Sequence, residues 1–307
     1  GCNTTDPKLP NFPDIPENTE KQYWLDELGN VDSTEISIND FSPATDCQGC
    51  HANQYAEWSR SMHAYSMKDP LFFSGWQYAQ DNHPAYGERF CIQCHSPVAF
   101  VTGFIPGDYI DGDVTADLLN GSPLVPETIK EGIGCNFCHS ITALSQTIST
   151  DTDNGVTAGT VDGHKYGAQY HLNPGKGIMY GPMVSPEPNE YHQSESNDIF
   201  DQSKMCLPCH NLTIRGETVE GTFAEWFDAT AQGMGDDQSC QSCHMRDKDG
   251  AFTHAFFGVD INLTSDPDFT EEDSITQYED VESLLQRSVE LEFGNLTIES
   301  SNILNIP

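Results

Sequence analysis

One short pattern recurs five times along this 307-residue chain: two cysteines separated by two residues, with a histidine directly after the second cysteine. The copies are Cys47-Gln-Gly-Cys50-His51, Cys91-Ile-Gln-Cys94-His95, Cys135-Asn-Phe-Cys138-His139, Cys206-Leu-Pro-Cys209-His210 and Cys240-Gln-Ser-Cys243-His244. In this pattern each thiol adds to a haem vinyl group, and the histidine binds the iron on its proximal side. The pattern therefore predicts five covalently attached haem c groups.

Zinc sites and disulfide bonds are the alternative interpretations of paired cysteines. Zinc sites of this type use two CxxC units for one metal ion, so five units would leave one without a partner. Neither alternative accounts for the histidine that follows every unit. We therefore favour haem attachment over zinc and over disulfides.

The composition provides few side chains for an apolar core. Only 36% of the residues are hydrophobic, and the chain contains 18 prolines and 25 glycines. Five haem groups would supply large apolar surfaces for the chain to enclose. The predicted fold class is mostly irregular, with short α-helices wrapped around five haems and with C-terminal β-strands that start, or remain from, an all-β segment.

Candidate distal ligands are the histidines outside the motifs: His63, His192, His254, His171, His164 and His83. Five irons need five distal ligands, so six histidines suffice for every iron and leave one spare. Ligation by two histidines closes both axial positions, which suits electron transfer rather than substrate binding.

The segment around His63 predicts a helix. Tyr55, Trp58 and Met62 recur there at helical spacing, so we expect a helix to present His63 rigidly. Methionine is a competing distal ligand, and four methionines lie near motifs: Met62, Met67, Met205 and Met245. We expect these flexible side chains to fill gaps beside the haems instead.

The other candidates lie in irregular sequence. His192 and His254 each fall within about twenty residues of a motif, in loops where only a bond to a metal would readily fix them. His164 and His171 share a glycine-rich stretch. His83 precedes a proline in a turn-like segment, so we keep it as the spare.

Eight stretches occur in a characteristic order: CQGCHANQYAEWSRSMHAYSMKDPLF, CIQCHSP, GIGCNFCHSI, MYGPMVSPEPNEYHQS, CLPCHN, TFAEWFDATAQG, CQSCHM and THAFFG. They resemble the extracytoplasmic multihaem cytochromes grouped with the tetrahaem electron acceptor of hydroxylamine oxidoreductase. The likeness spans about residues 41–260.

The resemblance implies a haem-wrapping fold, stacked pairs of haems, two histidines at most irons and a role in carrying electrons. It also favours His63, His192 and His254 as distal ligands, because each matches a histidine of the family pattern. Five motifs instead of four prevent a one-to-one correspondence of haems, and some relatives keep one iron five-coordinate. The resemblance therefore does not imply that every iron of this chain has two axial ligands.

The formal net charge of -35 constrains the partners of the chain. Such a charge excludes nucleic acid and anionic membrane surfaces as partners. It favours basic redox proteins that dock at exposed haem edges, other cytochromes or copies of the same chain. Adaptation of the surface to a saline setting is the alternative.

Four regions are expected along the chain. Residues 1–40 read as an extended arm with a short helix near residues 20–28, and residues 41–264 form the pentahaem domain with a polar loop at 141–160. An acidic linker and helix follow at 265–287. In 288–307, apolar residues alternate as in half-buried strands, which start a β-sandwich domain or pair with a neighbouring subunit.

The sequence also indicates a location outside the cytoplasmic membrane, where c-type haem is attached. No run of about 18 to 20 apolar residues is present. Gly1-Cys2 resembles the remnant of a lipoprotein cleavage site, with Cys2 as the lipid-bearing residue, although a lipoprotein begins at the cysteine itself. A different processing site, an unnatural start or a free or intermolecularly paired thiol stay open.

Three functions remain in competition. The favoured one is a non-enzymatic electron carrier that uses five closely spaced haems. The second is a subunit of a polymeric extracellular cytochrome wire, and the third is a multihaem reductase or oxidase of a small nitrogen or sulfur compound. An enzyme would need an iron with an open position and nearby acid or base groups.

Overall fold

The computed structural model describes residues 23–25, 31–34, 36–82, 90–105, 122–144, 148–151, 155–158, 170–214, 217–231, 238–246, 249–263, 269–288, 297–298 and 304–305.

Short helices dominate this part of the chain. They are α1 Ala44–Gln48, α2 Ala52–Ser59, α3 Met62–Tyr65, α4 Pro70–Asn82, α5 Ile92–His95, α6 Pro97–Thr102, α7 Glu127–Lys130, α8 Cys135–Cys138, α9 Thr222–Ala231, α10 Cys240–His244 and α11 Glu271–Ser288. Short 3-10 helices lie at Ile38–Asp40, Asp198–Asp201 and Ser203–Met205.

The helix expected around His63 forms in two pieces, because α2 ends before Ser61 and α3 begins after it. The Ser61 hydroxyl accepts a hydrogen bond from the Ala64 amide and caps α3. The expected C-terminal helix also forms, as α11, but it begins at Glu271 within the expected linker. Thr270 and Asp273 bond reciprocally there as a capping box.

The strands form small sheets of two strands each. They are β1 Tyr23–Leu25, β2 Val31–Thr34, β3 Ile141–Leu144, β4 Ile148–Asp151, β5 Gly155–Ala158, β6 Tyr170–Leu172, β7 Ile178–Gly181, β8 Gln193–Ser196, β9 Leu212–Ile214, β10 Glu217–Glu220, β11 Thr297–Ile298 and β12 Leu304–Asn305. The antiparallel pairs are β1–β2, β3–β6, β4–β5, β9–β10 and β11–β12, whereas β7 and β8 run parallel.

Two local expectations were wrong. The described part of 20–28 contains the strand β1 where a short helix was expected, since Tyr, Trp and Leu in succession suit a strand paired with β2. The segment 141–160 contains three strands where a polar loop was expected. Its recurring Ile, Val and Thr favour extended backbone, even though the segment is polar on average.

A side-chain core holds the second and third motifs. Its most buried members include Trp76, Ile92, Phe100, Ile129, Ile141 and Leu172, each no more than 2% exposed. Ile92 and Phe137 occupy positions between the motif cysteines and lie in this core, so they anchor α5 and α8. The helix-rich architecture with small sheets agrees with the coarse fold class that was predicted.

The C-terminal region is described only in part. β11 and β12 pair over two residues each, while the alternating residues Val289, Leu291 and Phe293 lie outside the described residues. Within the described ranges, no helix has both the length and the apolar character needed to span a bilayer.

Candidate haem-attachment sites

Every motif folds as a single helical turn. In the first four motifs the histidine amide donates to the carbonyl of the first cysteine, over 2.9–3.2 Å, and the fifth motif is the helix α10 itself. Residues three and four apart lie on one face of a helix. The two thiols and the imidazole of each motif therefore share one face.

Backbone carbonyls fix the orientation of three proximal imidazoles. The Nδ1 atoms of these rings bond to carbonyl oxygens as follows: His95 to Ser66 at 3.1 Å, His139 to Tyr180 at 2.7 Å, and His244 to Phe257. A ring that donates its Nδ1 proton keeps Nε2 as the metal-binding atom. These three sites are thus oriented by the fold.

Three proximal histidines each face one distal candidate. The ring centroids lie 6.1 Å apart for His51 and His192, 6.2 Å for His63 and His210, and 6.4 Å for His139 and His254. Two imidazoles on opposite sides of one metal, with bonds of about 2.0–2.1 Å, place their centroids about 6.3 Å apart. The residues present therefore fit an iron bound by two histidines.

Burial keeps two of the distal candidates, His63 and His254, in the neutral form that a metal requires. Burial lowers the pKa of His63 to about 3, and the nearby His210 and His244 lower it further. Burial also lowers the pKa of His254 to about 4. Both rings are therefore neutral at physiological pH.

The loops around His192 and His254 are fixed by more than a metal bond, contrary to expectation. The Asn189 carboxamide oxygen accepts from the amide of His192 at 2.9 Å, and Nδ1 of His192 lies 3.0 Å from the Gln193 carbonyl. The amide of His254 donates to the Glu57 carboxylate at 2.9 Å. Side chains of the fold thus position both rings.

The remaining candidates lie elsewhere. His171 is on β6, where its carbonyl accepts from the Thr142 hydroxyl, and the structure does not bring it into the three pairs. His164 and His83 lie outside the described residues. Met67 and Met205 pack in or against the core, as expected for gap-filling side chains.

Cysteines of different motifs approach one another. Three pairs of thiols lie close enough to shift each other's pKa: Cys47 with Cys135, Cys94 with Cys209, and Cys206 with Cys240. These contacts bring the first motif against the third, the second against the fourth, and the fourth against the fifth.

Nine of the ten motif cysteines are free thiols, and Cys50 is disulfide-bonded. A disulfide and a thioether cannot share one sulfur atom. Haem attachment at Cys50 therefore requires that this disulfide be reduced first. Burial raises the pKa of Cys91 to about 11, so this thiol stays protonated.

Sequence reasoning missed three residues that support these sites. Gly132 has a φ of +70°, and an added Cβ would lie 2.6 Å from the His63 carbonyl oxygen. Glu57 holds His254 from 197 positions away, and the Phe256 ring lies 4.4 Å from His63. The sequence carries a faint signal for Gly132, in Glu-Gly-Ile-Gly-Cys, and none for the long-range contacts.

Comparisons with known proteins bear on this site. The family model described as cytochrome c554 and c-prime matches residues 46–109, which contain the first two motifs. No curated protein matches the chain. A solved structure of a penta-haem cytochrome c552 from Thermochromatium tepidum is 21% identical, with a TM-score of 0.49, over 73% of this chain. The match spans 58% of that structure's length.

The motifs and the family match together support one class of protein. Five CxxCH turns and a partial match to a c-type cytochrome family point to covalent haem c and to electron transfer. Over residues 46–109 the chain is accordingly similar to a c-type cytochrome family.

Proposed function

We propose that the chain carries five haem c groups and moves electrons among them outside the cytoplasmic membrane. The observation that supports this proposal most strongly is the set of three histidine pairs whose ring centroids lie 6.1–6.4 Å apart. When bound, haem iron supplies one-electron oxidation and reduction. Three pairs of histidines from the chain would hold iron on both sides, and contacts between the motifs hold the attachment sites together.

The ligand assignment follows from the pairs. His192 would hold the iron of the first motif, His254 that of the third and His63 that of the fourth. His95 and His244 then take their distal ligands from His171, His164 and His83.

Contacts between motifs support a continuous route. The cysteine contacts link the first motif to the third and link the second, fourth and fifth to one another. Phe256 joins these two groups, because its ring lies 4.4 Å from His63 and 6.1 Å from His254. Each attachment site therefore has a neighbouring site within direct side-chain reach.

An electron carrier is proposed over a reductase. Three irons with two histidines each have no open position, and catalysis at haem iron requires one. We further propose that the carrier belongs with the cytochromes grouped with the acceptor of hydroxylamine oxidoreductase. The alternative is a subunit of a polymeric cytochrome wire, in which the haem sites at the two ends of the subunit would be exposed.

Two measurements test the proposal. Mass spectrometry of the denatured chain should retain five haem masses, and electron paramagnetic resonance of the oxidised protein should show predominantly low-spin iron. A Cys91→Ser/Cys94→Ser variant is the matched control and should retain four haem masses. Three or four haems in the natural chain, or steady turnover of nitrite or hydroxylamine, would overturn the proposal.

Location and anchoring are tested separately. We propose an extracytoplasmic protein with a lipid on Cys2. The haem-loaded protein should then partition with membranes, and Cys2→Ser should release it. A Cys2→Ser protein that stays on the membrane removes the lipid alone, whereas haem-loaded protein confined to the cytosol removes the location as well.

A further inference from the structure

Glu57 contacts the distal candidate His254 in two ways. Its Oε2 atom accepts a hydrogen bond from the His254 amide at 2.9 Å and lies 4.0 Å from the Nδ1 atom of the same residue. The two side chains are 28% and 24% exposed, so water screens this contact only in part. The carboxylate is carried by α2, which also begins directly after the first motif.

Nδ1 of His254 is a buried nitrogen with no hydrogen-bond partner among the described residues. Its counterparts on His95, His139, His192 and His244 all lie against backbone carbonyls. A buried donor without a partner costs about 1–3 kcal/mol, so an acceptor is expected. The Glu57 carboxylate needs to move by only about 1 Å to reach bonding distance.

We propose that Glu57 is the positioning residue for the sixth ligand at the third attachment site. It holds the His254 backbone and accepts the Nδ1 proton while Nε2 points at the iron. A carboxylate acceptor carries a full charge, unlike the carbonyls that lie against the four rings named above. His254 would therefore be a stronger donor than His192, whose Nδ1 lies against a carbonyl, and the iron that it binds would be held in its oxidised form more strongly.

This inference rests on the proposed function, since it assumes that His254 binds iron. It makes the third site different from the others in redox potential. The third site would differ from the others through the charge of the Glu57 side chain. A neutral side chain of the same size at position 57 therefore tests the effect of that charge alone.

Glu57→Gln tests the charge, and Glu57→Ala tests the contact as a whole. Gln keeps an oxygen acceptor for the His254 amide, so we expect five low-spin haems with a positive shift in the midpoint potential of one haem. Ala should add a high-spin signal, or binding of added imidazole, at one haem of five. Glu225→Gln on α9 is the matched control, because it removes one charge from an exposed glutamate and should leave every potential unchanged.

The outcomes separate the two proposals. Unchanged potentials in Glu57→Gln, with five low-spin haems in the natural chain, would overturn the role of Glu57 and leave the proposed function standing. Equal shifts in Glu57→Gln and Glu225→Gln would also overturn it, because the effect would then come from net charge. Absence of histidine-ligated haem in the natural chain would overturn the proposed function itself.

Discussion

His63 shows how single residues are prepared as ligands. It lies on α3, its ring faces His210, and burial makes it neutral by lowering its pKa to about 3. Its own carbonyl accepts from the Ile133 amide at 3.1 Å and from the Ser66 hydroxyl at 2.9 Å. Contacts within the protein alone therefore fix both the backbone and the ring of His63.

Replacement of His63 should open one iron. We expect His63→Ala to convert one haem of five to a high-spin form that binds cyanide, because the His63 ring lies 6.2 Å from that of His210, the spacing that suits two histidines on one iron. Electron paramagnetic resonance and cyanide titration measure this. Met62→Leu, one position earlier, is the control and should leave all five haems low-spin. A high-spin signal in the Met62 variant would instead favour methionine ligation.

Glu131 is a second residue whose state is set by burial. It is 6% exposed, and burial raises its pKa to about 8 from a usual value near 4.5, despite a hydrogen bond from the Ala44 amide. The folded chain therefore binds more protons at this group than the unfolded chain between these two pH values. Stability must fall as the pH rises through that range.

Glu131→Gln should remove this pH dependence. The loss in the natural chain is at most roughly 5 kcal/mol between about pH 4.5 and pH 8, from the size of the pKa change. Urea unfolding at pH 5, 7 and 9 measures the difference between the two proteins. Parallel curves for the natural chain and the variant would contradict the assignment.

The link between α7 and α8 is the element on which the ligand geometry depends most. Gly132 adopts a positive φ there, and the next residue, Ile133, binds both the His63 carbonyl and the Trp58 indole, the latter at 2.9 Å. An added Cβ at Gly132 would lie against Ser66 and the His63 carbonyl. The link therefore holds the third motif against α2 and α3.

Gly132→Ala should destabilise the fold by about 1–3 kcal/mol, because it combines left-handed backbone with a close contact. It should also weaken ligation by His63. Thermal unfolding and the fraction of high-spin iron measure the two effects. Gly75→Ala in α4 is the control, since its Cβ meets open space and should be neutral or slightly stabilising. Equal stabilities of the two variants would contradict the prediction.

The segment 253–258 is the second such element. It supplies His254, places the Phe256 ring against His63 and offers the Phe257 carbonyl to Nδ1 of His244. Phe256 has a φ of +48°, which a bulky residue rarely adopts. One strained segment therefore touches the ligands of three motifs.

At the scale of the whole molecule, charge decides encounters with partners. We expect a net charge of -35 to favour association with basic redox proteins, and salt screens such attraction over about 8–10 Å at ionic strengths of 0.1–0.15 M. The rate of reduction by a small basic cytochrome should therefore fall steeply between low and moderate salt. Stopped-flow reduction measures it, with an uncharged small-molecule reductant as the control. A salt-independent rate with the basic partner would contradict docking by charge.

The sequence by itself determined where the attachment motifs lie and which side chains each one groups together. The spacing of Cys and His within each motif is local, and one helical turn is enough to place the three side chains on one face. The same locality allowed α11 and the helical setting of His63 to be predicted. In segments 20–28 and 141–160 the local sequence was a poor guide, because pairing with neighbouring strands produced strands where a helix and a loop were expected.

Only the tertiary structure decided which histidines meet. His51 and His192 are separated by 141 positions, so no local rule connects them, and long-range packing sets the 6.1 Å between their rings. Glu57 and His254 are likewise distant in sequence, and their contact depends on α2 lying beside a loop near the opposite end of the chain. Motif chemistry is encoded in five consecutive residues, whereas ligand pairing depends on the closure of long loops and the packing of the core.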